Sequence, residues 1–182
     1  MKGMIGKWLR ENTYAAVLFL VARLYLGYEW LTAGWHKIMD GFDAGGFLKN
    51  AVANPVVDKA TGELIYPTYV AFLEEVALPG VGLINILIPW GEFLVGLGLI
   101  LGCLTTAAAF FGVLMNLMFM FAGTVSTNPW MAMIGGDILA AGANAGKFGI
   151  DHYLLPYLHR LFDRRGRGPT GDADKIKRPR VV

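Results

Sequence analysis

Three ionisable side chains interrupt three otherwise apolar stretches of the sequence. They are Arg23 in residues 13–35, Glu92 in residues 82–102 and Asp137 in residues 130–149. Each stretch is long enough to span a bilayer, because about 20 mostly apolar residues cover a hydrocarbon core of about 30 Å. A charged side chain at mid-membrane costs roughly 2.5–3.5 kcal/mol. The three charges therefore need partners, water or a function.

Depth and helical phase predict that these charges meet. At about 1.5 Å of rise per residue, Arg23 and Glu92 lie near the membrane midplane and Asp137 about 10 Å below the outer surface. Residues seven apart on a helix nearly eclipse, so each charge shares a stripe with other polar or aromatic residues. These are Trp30 and Lys37 with Arg23, Asn85 with Glu92, and Asn144 with Asp137, and Glu29 and His36 form a neighbouring stripe. The pattern predicts one polar cavity in the outer half of the membrane.

Such a cavity suits an anionic substrate beside a flat aromatic ligand. A guanidinium grips an oxyanion through several donors at once. We predict that Arg23, Lys37 and His36 bind the anion and that the carboxylates of Glu92, Asp137 and Glu29 handle protons. Trp30 and Trp90 would offer flat aromatic surfaces, and Asn85 and Asn144 would offer amides. The alternative is that Arg23 pairs with one carboxylate only to hold helices together, because buried pairs often fix register without chemistry.

The composition predicts an integral membrane protein. The chain is 55% hydrophobic and 16% charged, with a mean hydropathy of +0.47, and its apolar residues fall in blocks. A fourth apolar stretch covers residues 104–124 and follows residues 82–102 almost directly, so these two form an antiparallel hairpin. We predict an all-α bundle of four transmembrane helices. Lys and Arg residues flank the first and last stretches, which places both termini in the cytoplasm and the protein in the cytoplasmic membrane.

The polar segments complete a single membrane domain, residues 1–163. The external loop, residues 36–80, is too long for a simple connection; we predict a hairpin at residues 56–66 and an interfacial helix after it. A second interfacial helix is expected at residues 151–162 on the cytoplasmic side. Residues 164–182 are basic and rich in Gly and Pro, and we predict a disordered tail.

Several kinds of site are excluded by residue type and position. Cys103 is the only cysteine, so the chain has no internal disulfide, no Cys-x-x-Cys pair and no iron–sulfur ligand set. His36 lies at the outer end of the first span, whereas His152 and His159 lie on the cytoplasmic side, which does not suit a bis-histidine haem. We find no flavin motif and predict no metal site. The net charge of +2 comes from the flanks and indicates anionic lipid, not nucleic acid.

Four blocks of sequence resemble the DoxX superfamily of small four-helix membrane proteins, and within it the DoxD-type large subunit of thiosulfate:quinone oxidoreductase. The blocks are Arg23-Leu24-x-Leu26-Gly27-x-x-Trp30-Leu31-x-x-Gly34-x-x-Lys37, Gly91-Glu92-x-x-x-Gly96 running to Leu101-Gly102, Ala122-Gly123-Thr124-x-Ser126-Thr127-Asn128-Pro129, and Gly149-Ile150-Asp151-His152-Tyr153-Leu154-Leu155-Pro156. The resemblance covers nearly the whole chain except the hairpin and the tail.

The resemblance implies oxidation of thiosulfate to tetrathionate, with the electrons passed to membrane quinone. It also implies a second small subunit of DoxA type as a partner, alongside the lipid bilayer; a homo-oligomer is a further expectation. Two other functions stay open. One is a non-enzymatic anchor or scaffold for a soluble redox partner, and the other is a small anion transporter, against which the absence of an evident inverted repeat argues.

Overall fold

The computed structural model describes residues 2–166, and within them every regular element is helical. In chain order these are α1 (Lys2–Glu11), α2 (Thr13–Asp40), α3 (Gly45–Ala53), α4 (Pro67–Phe72) continuing in a π-helical turn (Leu73–Ala77), α5 (Val81–Leu101), α6 (Thr105–Phe121), α7 (Asn128–Ala141) continuing in a 3₁₀ turn (Gly142–Gly146), and α8 (Asp151–Gly166). The all-helical class predicted from the sequence is confirmed for this part of the chain.

Local sequence signals set the ends of the long helices. The side chain of Asn12 accepts hydrogen bonds from the backbone of Tyr14 and Ala15 and so caps α2. Gly102 ends α5 in the left-handed conformation, with φ of 62° and its N–H bonded to the oxygen of Gly98. Gly142, at a φ of 57°, ends the regular part of α7. The last predicted span along the chain, residues 130–149, is therefore α-helical only as far as Ala141.

Helices α2, α5, α6 and α7 pack around one apolar core. Its members include Phe19 and Trp30 of α2, Leu99 of α5 and Ile138 of α7. Large apolar side chains also cover the outside of the bundle, including Leu18, Val21, Leu83 and Leu94, a pattern expected of helices that face lipid. Within residues 2–166, α2 and α5 are long and apolar enough to cross a membrane, and α6 is a shorter apolar helix.

The connection between α2 and α5 forms a second, smaller core. Leu48 and Ala51 of α3 pack against Leu73 and Ala77 of the π-helical turn, a contact that buries part of the apolar side of the predicted interfacial helix and leaves Val76 exposed. Helix α3 was not predicted. Between α3 and α4 the chain makes a single antiparallel bridge, Val57 with Leu64. Most of the predicted tail, residues 164–182, lies outside the described residues, and α8 extends to Gly166.

Candidate functional site

The close approach of α2 and α5 positions the polar centre of the bundle. A Cβ atom added at Gly34 would lie 2.7 Å from the carbonyl oxygen of Pro89, and one at Gly96 would lie 2.6 Å from the Cα of Leu31. Backbone therefore packs directly on backbone, which only small residues permit. This contact brings the C-terminal half of α2 against the middle of α5.

Lys37 of α2 and Glu92 of α5 form an ion pair at this contact. The Nζ atom of Lys37 donates to Oε2 of Glu92 at 2.5 Å. The side chain of Glu92 is 2% exposed, whereas that of Lys37 is 29% exposed and its ammonium lies 5.8 Å from the ring centre of Phe42. The carboxylate is thus held inside the bundle, and the partly exposed ammonium lies toward the C-terminal end of α2.

Two other buried polar side chains near this pair have no hydrogen-bond partner among the described residues. They are Trp30, through its indole Nε1, and Asn116 of α6, through both the nitrogen and the oxygen of its amide. The two residues are 2% and 1% exposed. A buried polar group without a partner costs about 1–3 kcal/mol. Each such group needs an explanation, and a bound ligand or water is the simplest.

Contacts between helices place these groups at similar depth. A Cβ atom at Gly112 would lie 3.1 Å from Nε1 of Trp30. Gly112 lies one turn before Asn116 on the same face of α6. A Cβ atom at Gly91 would lie 3.5 Å from Sδ of Met115, so the next residues, Glu92 and Asn116, occupy neighbouring levels of antiparallel helices. All of these groups therefore lie within about two helical turns, or about 11 Å, along the bundle axis.

We call Lys37, Glu92, Trp30 and Asn116 the central polar cluster. It offers an indole N–H, an amide that both donates and accepts, and a carboxylate next to an ammonium. Three of its members, Lys37, Glu92 and Trp30, were predicted from the sequence; Asn116 was not. The sequence does contain a signal for Asn116, since it is an amide in the middle of an apolar stretch, residues 104–124, that holds no ionisable residue.

Arg23 does not join this cluster. Its Nη2 atom donates to the carbonyl oxygen of Phe148 at 2.6 Å, and the guanidinium lies against Gly102 and Gly149. Fourteen residues separate Arg23 from Lys37 along α2, or about 21 Å. The structure therefore places Arg23 at the opposite end of the bundle from the Lys37–Glu92 pair.

Asp151 organises the end of the bundle that holds Arg23. This carboxylate is 4% exposed and accepts hydrogen bonds from the backbone N–H groups of Leu104, at 2.7 Å, and Thr105, at 2.8 Å. Its own N–H donates to the oxygen of Gly102. Asp151 thereby caps the start of α6 and ties the segment before α8 to the α5–α6 turn. Its position in the motif beginning at Gly149 was noted in the sequence, but its capping role was not.

We expect Gly102→Ala to displace Arg23. A Cβ atom at Gly102 would overlap Nη1 of Arg23 and lie 2.9 Å from the Cα of Gly149. Gly62→Ala is the control, because Gly62 also has a positive φ, 76°, and nothing within 4 Å of its Cβ position. Both variants carry the cost of a side chain at positive φ, about 1–2 kcal/mol.

Only Gly102→Ala adds the steric cost, about 1–3 kcal/mol. Thermal unfolding of both variants in detergent measures the difference. Equal unfolding temperatures for the two variants would show that the guanidinium does not occupy the space beside Gly102.

The structure leaves four other predicted site residues outside the central polar cluster. Asp137 is exposed on the outer face of α7, and His36 is exposed at the end of α2. Trp90 is 50% exposed and packs edge-on against Phe93. Glu29 is half-buried. The residues predicted to line a single cavity therefore lie at two separate levels of the bundle and on its outer surface.

The two predicted amides hold loops and helix ends. Asn85 accepts a hydrogen bond from the N–H of Ala44 and donates to Asp43. The N–H of Gly45 and the amide of Asn85 keep the pKa of the Asp43 carboxyl below its usual value. Asn144 donates to the carbonyl oxygens of Leu9 and Asn12 at the junction of α1 and α2.

Comparison with known proteins identifies the family. The sequence model of the DoxX family matches residues 18–125, more than half of the 182 residues. The chain belongs to the DoxX family. DoxX is a family of membrane proteins, which accords with the apolar surface of the bundle. No curated protein and no solved structure matches the chain. The part matched to DoxX contains the whole central polar cluster and ends before α7.

Proposed function

We propose that this DoxX protein is a membrane oxidoreductase of DoxD type, which passes electrons from a sulfur oxyanion to membrane quinone. The observation that carries the proposal is the central polar cluster: a buried carboxylate paired with Lys37, within about 11 Å along the bundle axis of an unpartnered indole N–H and an unpartnered amide. Such groups match the oxygens of a quinone ring, which accept hydrogen bonds and gain protons on reduction. The family resemblance supplies the identity of the donor, thiosulfate.

The reaction balances with the groups present. Two thiosulfate ions form one sulfur–sulfur bond and release two electrons, and one quinone takes up two electrons and two protons to become quinol. In this proposal Trp30 and Asn116 donate hydrogen bonds to the quinone oxygens. Glu92 takes a proton from water at the partly exposed Lys37 end and passes it to a quinone oxygen, twice for each quinone, and Lys37 positions the carboxylate between transfers. Positioned acid–base groups of this kind contribute about 10²–10⁴-fold to a rate.

The oxyanion is proposed to approach from the outer side. Lys37 is the partly exposed member of the central polar cluster, and His36 is exposed beside it. Arg23, at the other end of the bundle, is too far to share an anion with Lys37. We therefore assign anion binding to Lys37 and His36, and we give Arg23 the structural role of joining α2 to the segment before α8.

We propose a four-span topology in the cytoplasmic membrane with both termini inside. Helix α7 has 14 residues and its 3₁₀ turn has 5. At about 1.5 Å per residue α7 extends about 21 Å, and the 3₁₀ turn beyond Gly142 adds up to about 10 Å at 2.0 Å per residue, against a hydrocarbon core of about 30 Å. The Lys and Arg residues before α2 and after α7 favour this orientation. A second small subunit of DoxA type or a soluble redox protein is the proposed partner.

Turnover by purified protein in lipid nanodiscs tests the proposal. With thiosulfate as donor and a short-chain quinone as acceptor, we expect Glu92→Gln to lower kcat at least about 10²-fold, because the amide cannot carry the proton. We expect Asn116→Leu to raise the KM for quinone, because a hydrogen bond to the ring is lost. Phe110→Leu, at an exposed residue of α6, is the control and should keep full rate.

Quinone binding provides a measurement that needs no second subunit. Quenching of tryptophan fluorescence by the same quinone should saturate in the wild type and weaken in Asn116→Leu, with unchanged thermal unfolding. Full turnover in Glu92→Gln would remove Glu92 from the mechanism. A chain that neither binds quinone nor turns over, and that copurifies with a soluble enzyme, is an anchor. Anion flux into proteoliposomes without turnover would identify a transporter.

A further inference from the structure

Asp137 presents a carboxylate on the outside of the bundle. Its helix, α7, turns Met131, Gly135 and Ile138 toward the core, and Asp137 lies on the exposed side. Trp130 and Met133 share that side, being 58% and 63% exposed. The outer face of α7 is therefore apolar apart from this one carboxylate.

The carboxylate lies at a depth where a charge is costly. Nine residues at about 1.5 Å each separate Asp137 from Asn128 at the start of α7, or about 14 Å. Asp137 forms no ion pair with any residue whose side chain the structure describes. Ionisable residues within spanning segments almost always pair with one another or line a water-filled space. A second protein chain in the membrane can supply such a partner to the exposed Asp137.

The same face carries a cation one helical turn away. Nε of Arg10, at the end of α1, donates to the carbonyl oxygen of Ala140 at 3.2 Å, and the side chain of Arg10 is exposed. Ala140 follows Asp137 by three residues, about 4.5 Å along α7. One surface thus holds an arginine and an aspartate at nearly the same depth.

We propose that this face is the interface of a homodimer. A surface with a cation and an anion side by side is complementary to itself under a two-fold axis, because each residue then meets the other residue of the partner. Two copies in one membrane share an axis along the membrane normal, so groups at equal depth meet. Arg10 of each copy pairs with Asp137 of the other, and both ion pairs are removed from lipid.

The shape of the face permits close contact. A Cβ atom at Gly136 would have nothing within 4 Å, and Ala140 lies one turn further along α7. Small residues with this spacing let two helices approach closely in a membrane. Trp130 and Met133 then supply apolar contact toward the outer end. This inference is independent of the proposed redox activity.

Disulfide crosslinking tests the interface in full-length protein. In a Cys103→Ser background, which removes the only cysteine, we expect Met133→Cys to form covalent dimers on mild oxidation in membranes. Leu94→Cys, on the exposed face of α5 and 57% exposed, is the control and should stay monomeric. Equal crosslinking by the two variants, or none by Met133→Cys, would overturn the proposal.

Charge exchange tests the pairing itself. We expect Arg10→Asp and Asp137→Arg each to weaken dimerisation about tenfold or more, because like charges then face each other across the axis. The double variant Arg10→Asp/Asp137→Arg restores opposite charges and should recover the dimer. A double variant as weak as the single ones would rule out pairing between copies. A dimer unaffected by either single change would show that Arg10 and Asp137 do not lie in the interface.

Discussion

Alanine in place of Gly34 or Gly96 is expected to separate α2 from α5 and to break the central polar cluster. The new Cβ at Gly34 would overlap the backbone nitrogen of Phe93, and that at Gly96 would overlap the backbone nitrogen of Leu31. Backbone atoms cannot rotate away as a side chain does, so the helices must move apart. We expect each variant to lose at least about 3 kcal/mol of unfolding free energy, the upper range for overpacking.

We expect both variants to weaken the proposed quinone binding even at temperatures where they remain folded. Gly34 lies one turn from Lys37, and Gly96 lies one turn from Glu92, so any separation of the helices lengthens the ion pair directly. Circular dichroism during heating reports the fold, and tryptophan quenching reports the ligand.

Gly82→Ala in the same helix is the matched control. A Cβ atom there would have nothing within 4 Å, and replacing glycine by alanine in a helix gains up to about 1 kcal/mol. Gly82→Ala should therefore be neutral or stabilising, opposite in sign to Gly96→Ala. If all three variants unfolded at the wild-type temperature, α2 and α5 would not be in backbone contact.

The sequence predicted the long helices well because hydrophobic length is a strong signal. Residues 13–35, 82–102 and 104–124 correspond to α2, α5 and α6 to within a few residues, except that α2 continues to Asp40. The end of α7 was missed because apolar composition continues past Gly142, whereas the backbone changes conformation there. Helix α3 has only nine residues, and its buried residues Leu48 and Ala51 pack on another segment of the same connection, so no long apolar stretch marks it in the sequence.

The candidate site was harder to predict because helical phase indicates which side of a helix a residue occupies but not which residue of a neighbouring helix it contacts. Phase places Arg23 and Lys37 on one side of α2, and both do face neighbouring helices. Which group each one meets depends on the axial offset between helices. That offset is fixed here by the backbone contacts of Gly34 and Gly96, and composition does not reveal it. An arginine side chain is also long enough to leave its own level, and Arg23 reaches the oxygen of Phe148.

Asp137 illustrates a further limit. Contact between a charged residue and lipid is unfavourable, and this argument predicts that Asp137 faces the interior of the bundle. The same energetic argument is met equally well by a second protein chain. Only the packing of Gly135 and Ile138 against the core reveals that Asp137 points outward.

Replacing Lys37 and Glu92 separately and together is expected to distinguish stability from chemistry. Lys37→Met leaves a carboxylate that is 2% exposed without its cation, and breaking a buried pair in this way costs about 3–5 kcal/mol. Glu92→Leu leaves Lys37, which is 29% exposed and can turn outward to water, so we expect a cost of about 1 kcal/mol or less. The two ends of one ion pair should thus differ severalfold.

The double variant Lys37→Met/Glu92→Leu should recover nearly all of the stability lost in Lys37→Met, because apolar residues of similar volume often replace a buried pair without cost. It should nevertheless have no quinone reductase activity, since the proton carrier is gone. Unfolding by detergent titration and turnover in nanodiscs measure the two properties on the same preparations. A destabilised double variant would mean that the pair is needed for the fold, and an active one would mean that protons reach the quinone by another residue. A stable but inactive variant assigns the ion pair to catalysis, because helix packing then holds without it.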